Sequence, residues 1–162
     1  MSTDDAVLAR LLPGGWLVAA TNIPAWLTAD RVGARYTWEV LSKDPLVLAD
    51  DVSYDNPHGA TQHILGIDTE VDGGFVWRGR GLQRFSSAHW SVIGVSDDST
   101  LLTLRFSRSR ATQAGVSVLL RVGTRPRELR AMIAHDTARF GLTPEDFATL
   151  TWIDRHASTV GH

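Results

Sequence analysis

From Trp16 onward the chain is divided into short apolar or alternating runs, each ended by turn-forming residues, and few folds accept that rhythm. Eight runs can be marked: Trp16 to Trp26, Val32 to Leu41, Leu46 to Tyr54, Thr61 to Thr69, Phe75 to Arg80, His89 to Ser96, Leu101 to Ser107 and Gly115 to Val122. Lys43-Asp44-Pro45, Asn56-Pro57-His58-Gly59, Asp72-Gly73-Gly74 and Asp97-Asp98-Ser99 suit tight turns, so neighbouring runs should pair in order. Eight strands paired in order can close on themselves, which removes sticky edges and encloses room for one small ligand. The expectation is a mainly β fold, an eight-stranded antiparallel up-and-down barrel over about residues 14–122.

The period then changes. Thr124 suits a helix cap, Pro126 a first turn, and Leu129, Met132, Ile133 and Phe140 share one stripe before Gly141. This predicts a helix over about 125–141, packed outside the barrel. Thr143-Pro144-Glu145-Asp146 opens a second, shorter helical turn, and 150–153 reads as an extended apolar segment.

The 162 residues form one domain without linker or repeat, and 43% hydrophobic with 21% charged residues is ordinary for a globular chain. A formal net charge of -2 gives no general attraction for phosphate backbones, so nucleic acid is not an expected partner. The absence of cysteine excludes disulfides, thiolate nucleophiles and cysteine metal sites. Asp4 and Asp5 stand where a secretory peptide would be basic, and no apolar stretch approaches the roughly 18 residues of a membrane span. A cytoplasmic protein is expected, and a closed barrel, lacking a free edge, suggests a monomer or weak dimer.

Both ends of the chain carry a resemblance. Gly14-Gly15-Trp16-Leu17-Val18-Ala19-Ala20 with Ile23-Pro24-Ala25-Trp26-Leu27 resembles the G-x-W opening of lipocalins. Leu119-Leu120-Arg121, the Pro126 linker, a helix closing on Phe140-Gly141-Leu142 and Leu150-Thr151-Trp152-Ile153 resemble the ending of bacterial and apolipoprotein-D-like lipocalins, within the calycins. Between Val40 and Gly115 only the strand rhythm matches. No Thr-Asp-Tyr-like trio occurs around Ser91 to Asp98, so receptor binding by that loop is not carried over. The resemblance implies a barrel holding a small hydrophobic molecule. It also implies that Gly14, Trp16 and Arg121 are structural, the arginine lying across the tryptophan ring at the closed end as a cation–π pair.

Alternation selects candidate lining residues. Ala34, Tyr36 and Trp38 share one face of their strand against a solvated Arg35, Thr37 and Glu39, and Phe75, Trp77 and Gly79 oppose Val76, Arg78 and Arg80. Tyr36, Trp38, Trp77 and Trp90 are therefore read as ligand-facing, with core filling as the plainer alternative. His63, in step with Leu65 and Ile67, and His89, beside Trp90, are candidates for the cavity or for hydrogen-bonded core positions. Of the adjacent Asp50 and Asp51, one should point inward. It would either meet Arg78, Arg80, Arg105 or a histidine, or stand wet at a flared rim. Tyr36, Asp50, His63 and His89 are thus the candidate catalytic groups. Arg78-Gly79-Arg80-Gly81 lacks the strand-to-helix setting of a phosphate loop, and no histidine pair has metal-ligand spacing.

Two function classes survive: a carrier for a lipid, terpenoid or polyketide-like metabolite, and a cofactor-independent cyclase or isomerase, of Diels–Alder type, in a natural-product pathway. The second would confine one substrate conformer, and both ask for a shaped apolar pocket with few polar groups. Haem binding would need His63 or His89 to project into open space.

Overall fold

The computed structural model describes residues 3–109 and 113–153. Eight strands, β1 (Gly14–Thr21), β2 (Val32–Lys43), β3 (Leu46–Asp55), β4 (Thr61–Val71), β5 (Gly74–Gly79), β6 (Ser87–Val95), β7 (Leu101–Phe106) and β8 (Gly115–Arg121), pair antiparallel in chain order. Trp16 of β1 stands opposite Tyr36 of β2 on one side and Arg121 of β8 on the other, which closes the barrel. A short β9 (Thr151–Trp152) adds to β1 at Ala20 and Thr21, beyond the stretch that pairs with β2. The run expected to continue to Trp26 leaves the sheet after Thr21, and Pro24–Trp26 forms a 3-10 turn.

One end is plugged by a helix the strand rhythm did not announce, α1 (Thr3–Leu11). Its local signals are Asp4 and Asp5 in the first turn and Arg10 in the last, complementing the helix dipole. Leu8, Ala9, Leu11 and Leu12 pack into the barrel interior with Trp16. Trp16 donates its indole N–H to Leu12 O at 3.0 Å, and the Arg121 guanidinium lies 3.9 Å from the Trp16 ring centroid. The same guanidinium donates to Pro13 O at 2.7 Å and Leu11 O at 2.6 Å, tying the end of α1 to the last barrel strand. Gly14 permits this: its φ of +105° is a glycine conformation, and a Cβ there would stand 3.0 Å from the guanidinium. The arginine-on-tryptophan pair that the resemblance implied is present.

A second core lies outside the barrel. Ala19, Ala20, Leu101, Val116, Val118 and Leu120 face outward against Ile133, Phe140, Leu142 and Leu150, so β7 and β8 are buried on both faces. The covering segment differs from the single helix expected over 125–141. It consists of α2 (Leu129–His135), a 3-10 turn at Ala138–Phe140 and α3 (Pro144–Thr149). Thr124 does not cap α2 and Pro126 precedes it; the N-cap is Glu128, which makes no side-chain cap bond. At Asp136 the backbone leaves the helix, with φ -148° and ψ 67°. That break lowers Phe140 onto the barrel wall, where a Cβ on Gly94 would stand only 2.5 Å from the Phe140 Cα. Met132, expected in the buried stripe, is exposed. The cap read at Thr143 is formed: its hydroxyl accepts from the Asp146 N–H at 3.0 Å, and the Asp146 carboxylate accepts from the Thr143 N–H at 2.9 Å. Among the described residues no helix is long and apolar enough to cross a membrane.

Strand β4 inverts the usual relation of pattern to burial. Leu65, in step with Ile67, is 47% exposed on the outer face, whereas Gly66 and Asp68 are buried inside. The pairing of β3 with β4, Asp50 opposite Gly66 and Asp51 opposite Leu65, sets this phase. Gly66 is what the interior requires, because a Cβ there would fall 2.0 Å from the Trp77 indole nitrogen.

Candidate functional site

Away from α1, the barrel opens into a cavity of about 480 Å³. Tyr36, Asp50, Val52, Ile64, Trp77, Ala88, Trp90 and Phe106 line it, and residues of the β1–β2, β5–β6 and β7–β8 connections, among them Trp26, Arg31, Gln83 and Arg108, surround its mouth. Strand alternation supplies the walls. Tyr36, Asp50, Trp77 and Trp90 all fall on inward positions of their strands.

Six rings run from the closed end to the mouth. Phe75 stacks on Trp90 at 4.5 Å, Trp90 on Trp38 at 5.3 Å, and Trp38 leans on Tyr36 at 5.2 Å. Trp26 then meets Tyr36 and Tyr54 edge to face at 6.4 and 6.3 Å. The Arg31 guanidinium finishes the column, 4.9 Å from the Tyr54 ring and 5.3 Å from that of Trp26. Trp38 is thus inward, as read from the sequence, but buried within the column below the cavity and not part of its lining.

Asp50 forms part of the cavity floor, and Asp68 lies beside it. The two are 4% and 0% exposed. Asp68 accepts from the Trp90 indole N–H at 2.9 Å. The two carboxyls act on each other and on the Trp38 N–H, but none of these approaches closes to a hydrogen bond. Trp38 Nε1, Asp50 Oδ1 and Asp68 Oδ2 are left buried without a hydrogen-bond partner. Burial raises the pKa of both acids, and the neighbouring Asp50 raises that of Asp68 further. Two carboxyls this close titrate as a pair, and the first proton is held more tightly than by an ordinary aspartate. Burial first, and then Asp50 and Asp68, also hold the Tyr36 hydroxyl firmly protonated.

The inward aspartate does not meet the cations foreseen for it, nor is it wet at a rim. Arg78 and Arg80 are exposed on the outside, and Arg105 pairs with Asp146 at 2.6 Å on the α3 side. Asp51 points outward, 2.8 Å from His63 Nδ1. His63 and His89 are both exposed on the outer face, so the expectation that either enters the cavity is not met. The reason is phase: His63 opposes Ser53 across β3–β4, and His89 opposes the outward Val76. A haem reading loses both ligands it required.

Sequence reasoning missed Asp68, Trp26 and Arg31. For Asp68 a signal was available, a strand-averse residue in mid-strand between Ile67 and Thr69. The apolar alternation of Leu65 and Ile67 pointed the other way.

No family model matches the chain, and no curated protein matches it. Solved structures do. H1 crustacyanin from the lobster Homarus americanus superposes with a TM-score of 0.61 at 10% identity, covering 98% of this chain and 88% of that one. A biogenic amine-binding protein superposes at 0.59 with 14% identity, over 93% and 80%. The bovine lipocalin allergen Bos d 2 superposes at 0.55 with 12% identity, over 89% and 93%. The chain has the lipocalin fold.

Proposed function

We propose that the barrel binds a small, largely apolar molecule, of lipid, terpenoid or polyketide-like size, in the cavity beneath the β1–β2 connection. The observation carrying this reading is the cavity of about 480 Å³ with aromatic walls on a rigid closed barrel, the form in which pre-organised small-molecule sites occur. The likeness to a protein named for binding biogenic amines is in keeping with it. The test is native mass spectrometry of protein purified from its own host, followed by denaturing extraction. A stoichiometric small molecule recovered unchanged supports a container. A protein that is empty and takes up no apolar probe refutes it.

The carboxyl pair supports a second reading, a cofactor-independent cyclase or isomerase using the same pocket. A buried acid whose pKa is raised by burial, in the lining of an apolar cavity, is a group able to donate a proton to a confined substrate. Conversion of a linear precursor by fresh protein, slowed by Asp50→Asn, distinguishes catalyst from container. The cysteine-free composition suits a reducing compartment, and we propose that the protein works in the cytoplasm.

A further inference from the structure

An apolar container does not need an acid in its floor with a second acid buried behind it, and burying them is costly unless something answers their charge. Among the described residues no cation in the barrel does. Across β2 from Asp50 stands Trp38, and across β4 stands Gly66. The groups facing the pair are Tyr36 and Trp38 from β2, Asp68 from β4 and Trp90 from β6, while Asp51 on its own strand points outward to His63. Among the described residues the lining cations, Arg31 and Arg108, belong to the mouth, and Arg31 is already placed over two rings.

We infer that Asp50, with Asp68 behind it, is the seat of a cationic ligand group, and that the molecule this cavity takes is a primary or secondary amine, protonated, on an apolar body. The inference rests on the container reading and specifies its ligand. Acceptor geometry supports it. The Trp90 N–H satisfies one oxygen of Asp68, whereas Asp50, the member of the pair that lines the cavity, keeps an oxygen without a partner among the described residues, and an ammonium group carries the N–H donors it lacks. Charge supports it as well: two neighbouring carboxyls repel each other when ionised, and a bound cation relieves that repulsion. The walls agree, because the indoles of Trp77 and Trp90 and the phenol ring of Tyr36 attract a cation through their faces. Arg31 over Trp26 and Tyr54 shows the same column of rings attracting a cation at its outer end.

The experiment is displacement of the neutral fluorescent probe N-phenyl-1-naphthylamine from full-length protein by 2-phenylethylamine and by its neutral counterpart 2-phenylethanol. The amine should compete about tenfold or more better than the alcohol at neutral pH. Its advantage should shrink on acidification as the pair is protonated, with the alcohol unaffected. Asp50→Asn should abolish the preference, read as the ratio of amine to alcohol competition, and Asp68→Asn serves as a second variant if the first fails to fold. Equal competition by amine and alcohol with the probe bound would overturn the inference and leave the container reading standing. A probe that does not bind folded protein would overturn both. The wild-type comparison and its pH course need no variant, so a failure of either substitution to fold leaves the question decidable.

Discussion

Replacing Arg121 with methionine keeps the aliphatic stem over Trp16 and removes the guanidinium. Lost with it are two charge-assisted hydrogen bonds, to Pro13 O and Leu11 O, and the cation–π contact at 3.9 Å. At about 1.5 kcal/mol for each hydrogen bond and about 0.5–1 kcal/mol for a partly solvated ring contact, the sum approaches 4 kcal/mol. The methionine recovers part of the packing, so the expected loss is about 3 kcal/mol. For a domain of this length that is a fall in Tm of about 9 °C, or a urea midpoint lower by about 1.5 M at an m-value of about 2 kcal/mol/M. Arg121→Lys should lie between, because one ammonium cannot reproduce the fork that serves two carbonyls. Equilibrium urea unfolding followed by tryptophan fluorescence gives the midpoints, and hydrogen exchange should show α1 losing protection first. A loss below about 1 kcal/mol for the methionine variant would refute the view that this arginine ties α1 to the barrel.

Gly66→Ala should displace the Trp77 indole, whose nitrogen would lie 2.0 Å from the new Cβ. The expected result is a loss of about 1–3 kcal/mol and weaker probe binding, read by urea unfolding and titration. Folding stability should depend on the carboxyl pair with a definite sign. Both acids have folded-state pKa values raised by burial, so the stability they confer is complete below the unfolded value of about 3.9 and is lost as pH rises through the folded values. Wild-type protein should therefore gain stability as pH falls through the folded values of the pair, and Asp68→Asn should flatten that part of the profile. Thr143→Ala removes the capping box on α3 and should cost about 1 kcal/mol, measured by thermal unfolding. His63→Ala and His89→Ala, both outside the barrel, should leave probe affinity unchanged in a fluorescence titration.

The barrel was readable in the sequence because its turns are chemically marked and its strands are the right length to pair in order. The Trp16–Arg121 contact was readable only through resemblance, since nothing local joins residues at opposite ends of the chain. Tyr36, Trp77 and Trp90 were found because large rings alternate with polar residues or occupy apolar runs, and one of Asp50 and Asp51 had to point inward. Which one, and what it would meet, was not legible, because the pairing phase of β3 with β4 is a tertiary fact. The histidines were misplaced for the same reason: the apolar neighbours of His63 looked like a core face, and in this barrel that face is the outside. The helix at 129–135 was drawn too long because its stripe is continuous in sequence, while the seat for Phe140 at Gly94 is set by another strand.

The inverted faces of β4 also bear on how the chain reaches this structure. One residue away from the native alignment lies a register that would bury Leu65 and Ile67 and expel Asp68 to water, and judged by hydrophobicity alone it is the better one. A β3–β4 hairpin forming by itself has little reason to reject it. The decision falls to strands that arrive afterwards, β5 bringing Trp77 onto Gly66 and β6 bringing the Trp90 N–H to Asp68. Folding is then a contest in which a local preference must be overruled by later partners, a form of frustration that slows the approach to the native state. Mild acid, by protonating Asp68, should ease that contest and speed refolding.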